Sequence, residues 1–253
     1  MSKGECIAKP KPPCHGAPVG VLMLERADDG FDRPFVPGSV GNASTWSVPV
    51  RFKTIRGVNF RQIIGPSAAS AEAAVIEAAA DLASEGARLI TAHCGFMMRY
   101  QQAVGAAVDA QVLLSSLLLG PILERTLPRG KSLGIVTAKA SALTPDILGA
   151  SGLTSDMGRV VVAGLEDAPV FARSFLTASG DFEYDAVEAE AVDAAVAMIA
   201  ERPDIGMLLL ECSELPPFAS AVQRATGLPV YDHTSMVEFF AQGLMRKPFT
   251  GLG

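Results

Sequence analysis

The sequence predicts an α/β fold: two pseudo-symmetric lobes, each with a mainly parallel sheet flanked by helices, and a cleft between them. Three observations carry this expectation. Short apolar runs that read as buried strands alternate with alanine-rich stretches that read as helices, the pattern of parallel sheets. Glycines and prolines punctuate the joins. And one unit occurs twice. Arg88-Leu-Ile-Thr-Ala-His-Cys94 is a strand ending in cysteine, followed by a loop and helix over 95–104. Gly206-Met-Leu-Leu-Leu-Glu-Cys212 is a second, followed by a Leu215-Pro-Pro turn and a helix over 218–227 that stops at glycine. Overlaid without a gap, Cys94 falls on Cys212, Val112 on Val230, Ser115 on His233 and Ser116 on Thr234. Two such units facing each other would set two thiols on opposite sides of one cleft. In open α/β sheets that edge, where strands run out, is where ligands bind.

The chain in order justifies each element. Residues 1–17 hold lysines, prolines, Cys6 and Cys14 but no hydrophobic segment, so they read as a flexible arm rather than a secretory signal. Val19-Gly-Val-Leu-Met-Leu24 is a continuous apolar run, expected as a central parallel strand. The polar stretch 25–46 is too long for a plain connection and leaves the same sheet edge as Cys94, so it is expected to cover the cleft. Asn42, Ser44 and Thr45 are its small polar candidates for holding a substrate; turn hydrogen bonding is the alternative for Asn42 and Ser44. Residues 48–55 alternate as a strand, with Pro49 marking an edge. Residues 67–86 form the clearest helix, alanine-rich and stopped by Gly86.

The second half repeats the plan. Residues 116–127 read as a helix joining the lobes, with Pro121 in or near its first turn. Strands are expected over 132–138 and 159–163, with a helix over 141–152 between them. A long alanine-rich helix over 185–202, ended by Pro203, leads into the Cys212 strand. A last helix covers 235–245.

Bulk composition limits the function classes. Of 253 residues, 49 % are hydrophobic and 19 % charged, with a mean hydropathy of +0.30, a well-buried globular composition that argues against disorder. A net charge of -6 with dispersed Lys and Arg gives no support for nucleic-acid binding. No apolar run reaches the roughly 18 residues of a membrane helix, and a cytoplasmic protein is expected. The four cysteines include no Cys-x-x-Cys pair, so neither a disulfide framework nor a common zinc site is expected. Walker, Gly-x-Gly-x-x-Gly and Gly-x-Ser-x-Gly patterns are missing, which points to an enzyme without a cofactor.

The two cysteine turns, Thr91-Ala-His-Cys-Gly-Phe96 and Glu211-Cys-Ser-Glu-Leu-Pro216, resemble those of the aspartate/glutamate/hydantoin racemase superfamily. The second is the more specific, being similar to the Cys-Thr-Glu-Leu turn of aspartate and glutamate racemases. Val19–Leu24, Leu133–Thr137 and Gly227–Asp232 also match family strands, and the resemblance covers nearly the whole chain from Pro18. The first turn departs from it: the family's Cys-Asn-Thr is Cys94-Gly95-Phe96 here. The resemblance implies one lobe over 18–115 plus 226–253, and another over 116–225.

It also implies chemistry. Moving a proton at a carbon beside a carboxylate suits two groups on opposite faces, one ionised and one protonated. A cysteine of ordinary pKa about 8.5 can be lowered toward neutrality at a helix N-terminus. Cys94 and Cys212 are therefore the expected acid/base pair. Amides around Gly95, Phe96, Ser213 and Glu214, with the Ser213 hydroxyl, are expected to bind a carboxylate. Ser115 and Thr137 are further polar candidates, and Glu214 either caps the turn or meets a substrate amine. His233 either tunes Cys212, holds substrate, or is structural. His93, one residue before Cys94, should point to the other face of the strand and be structural.

The expected partner is a small carboxylate-containing substrate. Oligomeric state is left open, a homo-oligomer included. The first expectation is a cofactor-independent racemase or epimerase. The alternative is a lyase, decarboxylase or isomerase on the same scaffold, such as an arylmalonate decarboxylase, a maleate isomerase or an algal-type dimethylsulfoniopropionate lyase. Two cysteines argue against a one-cysteine decarboxylase but do not separate racemase from lyase. Gly95-Phe96 and the long 25–46 stretch point to a substrate other than free aspartate or glutamate.

Overall fold

The strand pattern builds two separate sheets. A computed structural model describes residues 16–26, 29–153, 159–246 and 248; the expected arm, with Cys6 and Cys14, lies almost wholly outside them. Strands β1 (Val19–Leu24), β2 (Val50–Ile55), β3 (Leu89–Ala92) and β4 (Gln111–Leu113) form a parallel sheet in the order β2-β1-β3-β4. Strands β5 (Ser132–Thr137), β6 (Val160–Gly164), β7 (Ile205–Leu210) and β8 (Val230–Tyr231) form the second, in the order β6-β5-β7-β8. Sliding each number up by four converts one order into the other, so the internal repeat read from the cysteines is a repeat of whole sheets.

Burial explains the composition of the strands. β5 is buried along its full length and β1 along all but its last residue, as expected of central parallel strands covered on both faces. β2, the edge strand that Pro49 announced, carries the alternating pattern. Gly20 and Gly134 sit at corresponding places where helices press on the sheets. A Cβ at Gly20 would lie 2.9 Å from Leu82 Cδ1, and one at Gly134 2.7 Å from Met198 Cε. Leu82 belongs to the helix Glu72–Ser84 and Met198 to Tyr184–Glu201, the alanine-rich helices that precede each cysteine strand.

Three expectations need adjusting. The single helix over 141–152 is split into a 3₁₀ turn, Ala140–Ala142, and a helix, Pro145–Ala150. Pro145 holds Thr144 extended, and the Thr144 hydroxyl caps the new helix through Ile147 N–H. The helix over 67–86 opens with a 3₁₀ turn, Ala68–Ala71, because Ser67 makes no side-chain cap. The chain's return to the first lobe is placed differently as well. Val230 and Tyr231 pair with β7, so they belong to the second sheet rather than to the lobe containing 226–253. Only the helix His233–Leu244 crosses back. Asp232 starts it with a capping box, and Met236, Val237 and Ala241 pack on Val19, Val21 and Leu89 of the first sheet.

Among the described residues, no helix is long and apolar enough to cross a membrane, and no group of three or more His, Cys, Asp or Glu is arranged to hold a metal ion.

Candidate active site

Each cysteine sits just past the end of a central strand. His93 N–H bonds Leu22 O at 2.8 Å, and Glu211 N–H bonds Val136 O at 2.8 Å, so both chains stay extended to the sheet edge before turning. After Cys94 comes a 3₁₀ stretch, Gly95–Tyr100; after Cys212 comes a turn and a 3₁₀ piece, Pro216–Phe218. Both thiols are free and nearly buried, 6 % and 9 % exposed. They line one cavity of about 570 Å³, together with Gly95 and Phe96 from the first turn and Glu211, Ser213 and Glu214 from the second.

The electrostatics differ from the expected lowering of the thiols. Burial, then the neighbouring Glu211 carboxyl, pushes the Cys94 thiol up to about 12; the Phe96 and Met97 amides pull the other way. Burial and Glu211 also push Cys212 well up, against the Glu214 amide. The turns that follow are too short to supply the dipole of a long helix, so desolvation wins.

Two carboxyls in the cavity behave oppositely. Glu214 is fully engaged. His93 Nε2 lies 2.8 Å from its Oε1, Arg26 Nη2 donates to the same oxygen at 3.0 Å, and Ser39 Oγ donates to Oε2 at 3.2 Å. Burial works to raise this carboxyl, but His93, Arg26 and Ser39 outweigh it and hold it at about 2. Glu211 has one partner. Thr137 Oγ1 donates to Oε2 at 2.6 Å, while Oε1 is buried with no hydrogen bond. Burial, against the Thr137 bond, pushes Glu211 up to about 7.

Loops of the two lobes are clasped together beside the cavity. Asp32 N–H bonds Asp181 Oδ1 and Asp32 O accepts from Phe182 N–H, both at 2.8 Å, tying the polar stretch after β1 to the second lobe. Arg26, Asp29 and Arg33 of that stretch line the cavity, facing Phe175 and Thr177 across it. Arg26 also stacks on the Phe35 ring, 3.8 Å from its centroid.

Sequence comparison gives the relationship. A dimethylsulfoniopropionate lyase from Durusdinium sp. clade D is 32 % identical over 242 residues, covering 93 % of this chain and 78 % of that protein. The chain belongs to the dimethylsulfoniopropionate lyase family. Dimethylsulfoniopropionate lyase 7 of Emiliania huxleyi (strain CCMP1516) is 28 % identical over 262 residues, covering 96 % of this chain and 74 % of that one. No protein-family model matches. In three dimensions, glutamate racemase from Bacillus anthracis superposes with a TM-score of 0.60 at 13 % identity, covering 92 % of this chain and 82 % of the other. Allantoin racemase from Klebsiella pneumoniae gives 0.60 at 14 %, covering 89 % and 87 %. The fold of this lyase-family chain is that of the aspartate/glutamate/hydantoin racemase superfamily.

Within this family member, the sequence-predicted residues divide. Cys94, Gly95, Phe96, Cys212, Ser213 and Glu214 meet at the cavity. Five others do not line it. Asn42 and Thr45 are spent locally: Asn42 Nδ2 donates to Phe35 O and its Oδ1 accepts from Ser44, while Thr45 Oγ1 donates to Ser39 O and accepts from Gly38 N–H. Ser115 is fully buried and its Oγ accepts from Leu117 N–H. Thr137 reaches the site only through Glu211. His233 Nε2 lies 2.6 Å from Thr91 Oγ1 rather than at Cys212, and burial, with His93, lowers it to about 3, so it stays neutral.

His93 is the reverse correction. It lines the cavity and meets Glu214, because β3 ends at Ala92 and strict alternation does not continue through 93 and 94. Arg26, Arg33 and Glu211 were not anticipated. Glu211 did leave a signal: an acidic residue directly after the apolar run Met207–Leu210, in a segment otherwise built for burial.

Proposed function

We propose that this chain is a lyase that splits dimethylsulfoniopropionate into dimethyl sulfide and acrylate by β-elimination. The observation that carries the reading is that both thiols line a single cavity that is walled partly by Phe60, Phe96 and Phe175 and contains charges of both signs. The substrate is a zwitterion, with a carboxylate at one end and a dimethylsulfonium at the other. Arg26, Arg33 and Arg61 line the cavity and suit the carboxylate; aromatic faces suit a cation whose charge is spread over methyl groups.

The steps balance without a co-reactant. One cysteine, as thiolate, takes a proton from the carbon beside the carboxylate. The electron pair of that C–H bond becomes the double bond of acrylate. The bond from the β-carbon to sulfur breaks, and its pair leaves on sulfur as neutral dimethyl sulfide. The proton taken by the thiol then passes to solvent, so one proton is released per turnover. A positively charged leaving group that departs neutral needs no acid, so a single base suffices.

The second thiol keeps a second reading alive. Two sulfurs on one cavity also suit racemisation, in which one removes a proton and the other returns it to the opposite face. The family relationship favours elimination over that outcome. Headspace measurement of dimethyl sulfide, with acrylate quantified by NMR, tests the choice. Equal amounts of the two products are expected. Finding no sulfide, with deuterium from D2O entering the α-position of amino acids or hydantoins, would establish the racemase instead.

A further inference from the structure

Among the described carboxyls that line the cavity, Glu211 stands apart in having a buried oxygen that no protein group meets. Glu214 is held by His93, Arg26 and Ser39. Asp29 is paired with Arg33, and Glu25 accepts from Gly57 N–H. Glu211 is fully buried, offers Oε2 to Thr137, and leaves Oε1 without a hydrogen bond. Leaving a buried carboxyl oxygen unmatched is costly, and such groups persist where they have a use.

Its placement is built from both halves of the molecule. The backbone of Glu211 directly precedes Cys212, and Ser116 Oγ donates to Leu210 O at 3.1 Å to pin that strand end. The carboxyl group reaches across to the other cysteine turn. A Cβ at Gly95 would lie 1.9 Å from Glu211 Oε1 and 2.5 Å from Glu211 O. Any side chain at 95 would therefore occupy the space of the carboxyl, which accounts for glycine directly after Cys94.

We propose that Glu211 is the counter-ion for the substrate's onium group, seated between the two cysteine turns and fixed there by Thr137 and by the lack of a side chain at residue 95. The assignment rests on the elimination reading for the identity of that onium. An onium without N–H groups offers no hydrogen bonds. It is recognised by one nearby negative charge and by aromatic faces, and the cavity supplies Glu211 with Phe60, Phe96 and Phe175. A protonated amine would need several acceptors, and the other carboxyls are already engaged. The charge also has a consequence for the thiols. Glu211 disfavours their ionisation, and a cation beside it offsets that effect, so the base forms best with substrate in place.

The test is binding rather than turnover. Trimethylammonio-propionate carries an onium that leaves poorly. Its carbon isostere, with a tert-butyl group in place of the onium, has the same shape without the charge. Calorimetric titration of both ligands into the wild-type protein should give at least about tenfold tighter binding of the onium. Glu211→Gln should bring the two within about twofold by weakening only the onium. Gly95→Ala, which displaces the carboxyl while keeping it, should do the same and serves if Glu211→Gln fails to fold. Wild-type protein with no preference, or a folded Glu211→Gln variant that keeps the full preference, overturns the assignment. Onium preference lost in Glu211→Gln, with no dimethyl sulfide from the wild type, upholds Glu211 and removes the elimination reading. Sulfide release with an unaltered preference in Glu211→Gln does the opposite.

Discussion

Removing the charge of Glu211 should make the protein more stable while making it a worse enzyme. An ordinary glutamate carboxyl titrates near 4.5, and burial pushes this one up to about 7. The folded state therefore binds the proton more tightly than the unfolded chain does. Stability is complete below about pH 4.5, falls as pH rises toward 7, and stays at the lower level above it. The gap from 4.5 to about 7 corresponds to about 3 kcal/mol. Glutamine removes that cost but leaves an amide without an acceptor where Oε1 now lies, a loss of about 1 kcal/mol. Glu211→Gln should thus gain about 2 kcal/mol above neutrality, or about 4–8 °C in melting temperature for a chain of this size. Below about pH 4.5 the pH-dependent gain is gone, since both side chains are then neutral, and the loss of about 1 kcal/mol from the unmatched amide leaves the variant slightly the less stable. Thermal unfolding of both proteins across pH 4 to 8, all in roughly that window, measures the difference directly. Other titrating groups are shared and largely cancel. A difference that does not change with pH, or a variant less stable than wild type near pH 8, refutes the reasoning about this carboxyl.

Other outcomes follow from the same geometry. Of Cys94→Ser and Cys212→Ser, the one that removes the base should reduce dimethyl sulfide release by roughly 10²–10⁴-fold, the range for loss of a positioned acid/base group, while the other should cost far less, both with little change in melting temperature. Asn42→Ala should leave kcat/KM unchanged and lower stability by about 1 kcal/mol, because its bonds all stay within its own loop. Glu214 titrates at about 2, below its ordinary 4.5, so its contribution is present above about pH 4.5 and is lost as pH falls toward 2. Glu214→Gln should accordingly cost roughly 2–3 kcal/mol near neutrality, with the deficit disappearing in acid, as read from urea unfolding at a series of pH values.

The architecture was legible because it is carried by repetition. The gap-free overlay of Cys94 on Cys212 matches the two sheet orders strand for strand. It even placed Val230 on Val112, and Val230 does pair with the cysteine strand of its own lobe as Val112 does. The misplaced return at 226 came from the lobe boundaries implied by the resemblance, which overrode that alignment. The cysteine turns could be read because strand ends and proline turns leave strong local marks. The charged lining could not. Arg26 and Glu214 are 188 residues apart, and nothing local announces their pairing. Asn42 and Thr45 failed for the opposite reason. Short polar side chains in a turn bond their own backbone first, and that satisfied them before any ligand was considered.

Electrostatics supply the argument that joins fold to reaction. A racemase working on both faces of one carbon gains from a thiolate held ready. Here desolvation and Glu211 work against a resting thiolate at either sulfur. That arrangement suits a substrate that brings positive charge with it. In the proposed elimination, a sulfonium entering beside Glu211 would neutralise the field that suppresses the thiols and would leave as a neutral sulfide once the α-proton had gone. Gly95 is central to this logic. It departs from the Asn of the amino-acid racemases at the position where any Cβ would strike the Glu211 carboxyl. Residues 95 and 211 therefore form one device, in which giving up a side chain beside the first thiol makes room for a negative charge between the two.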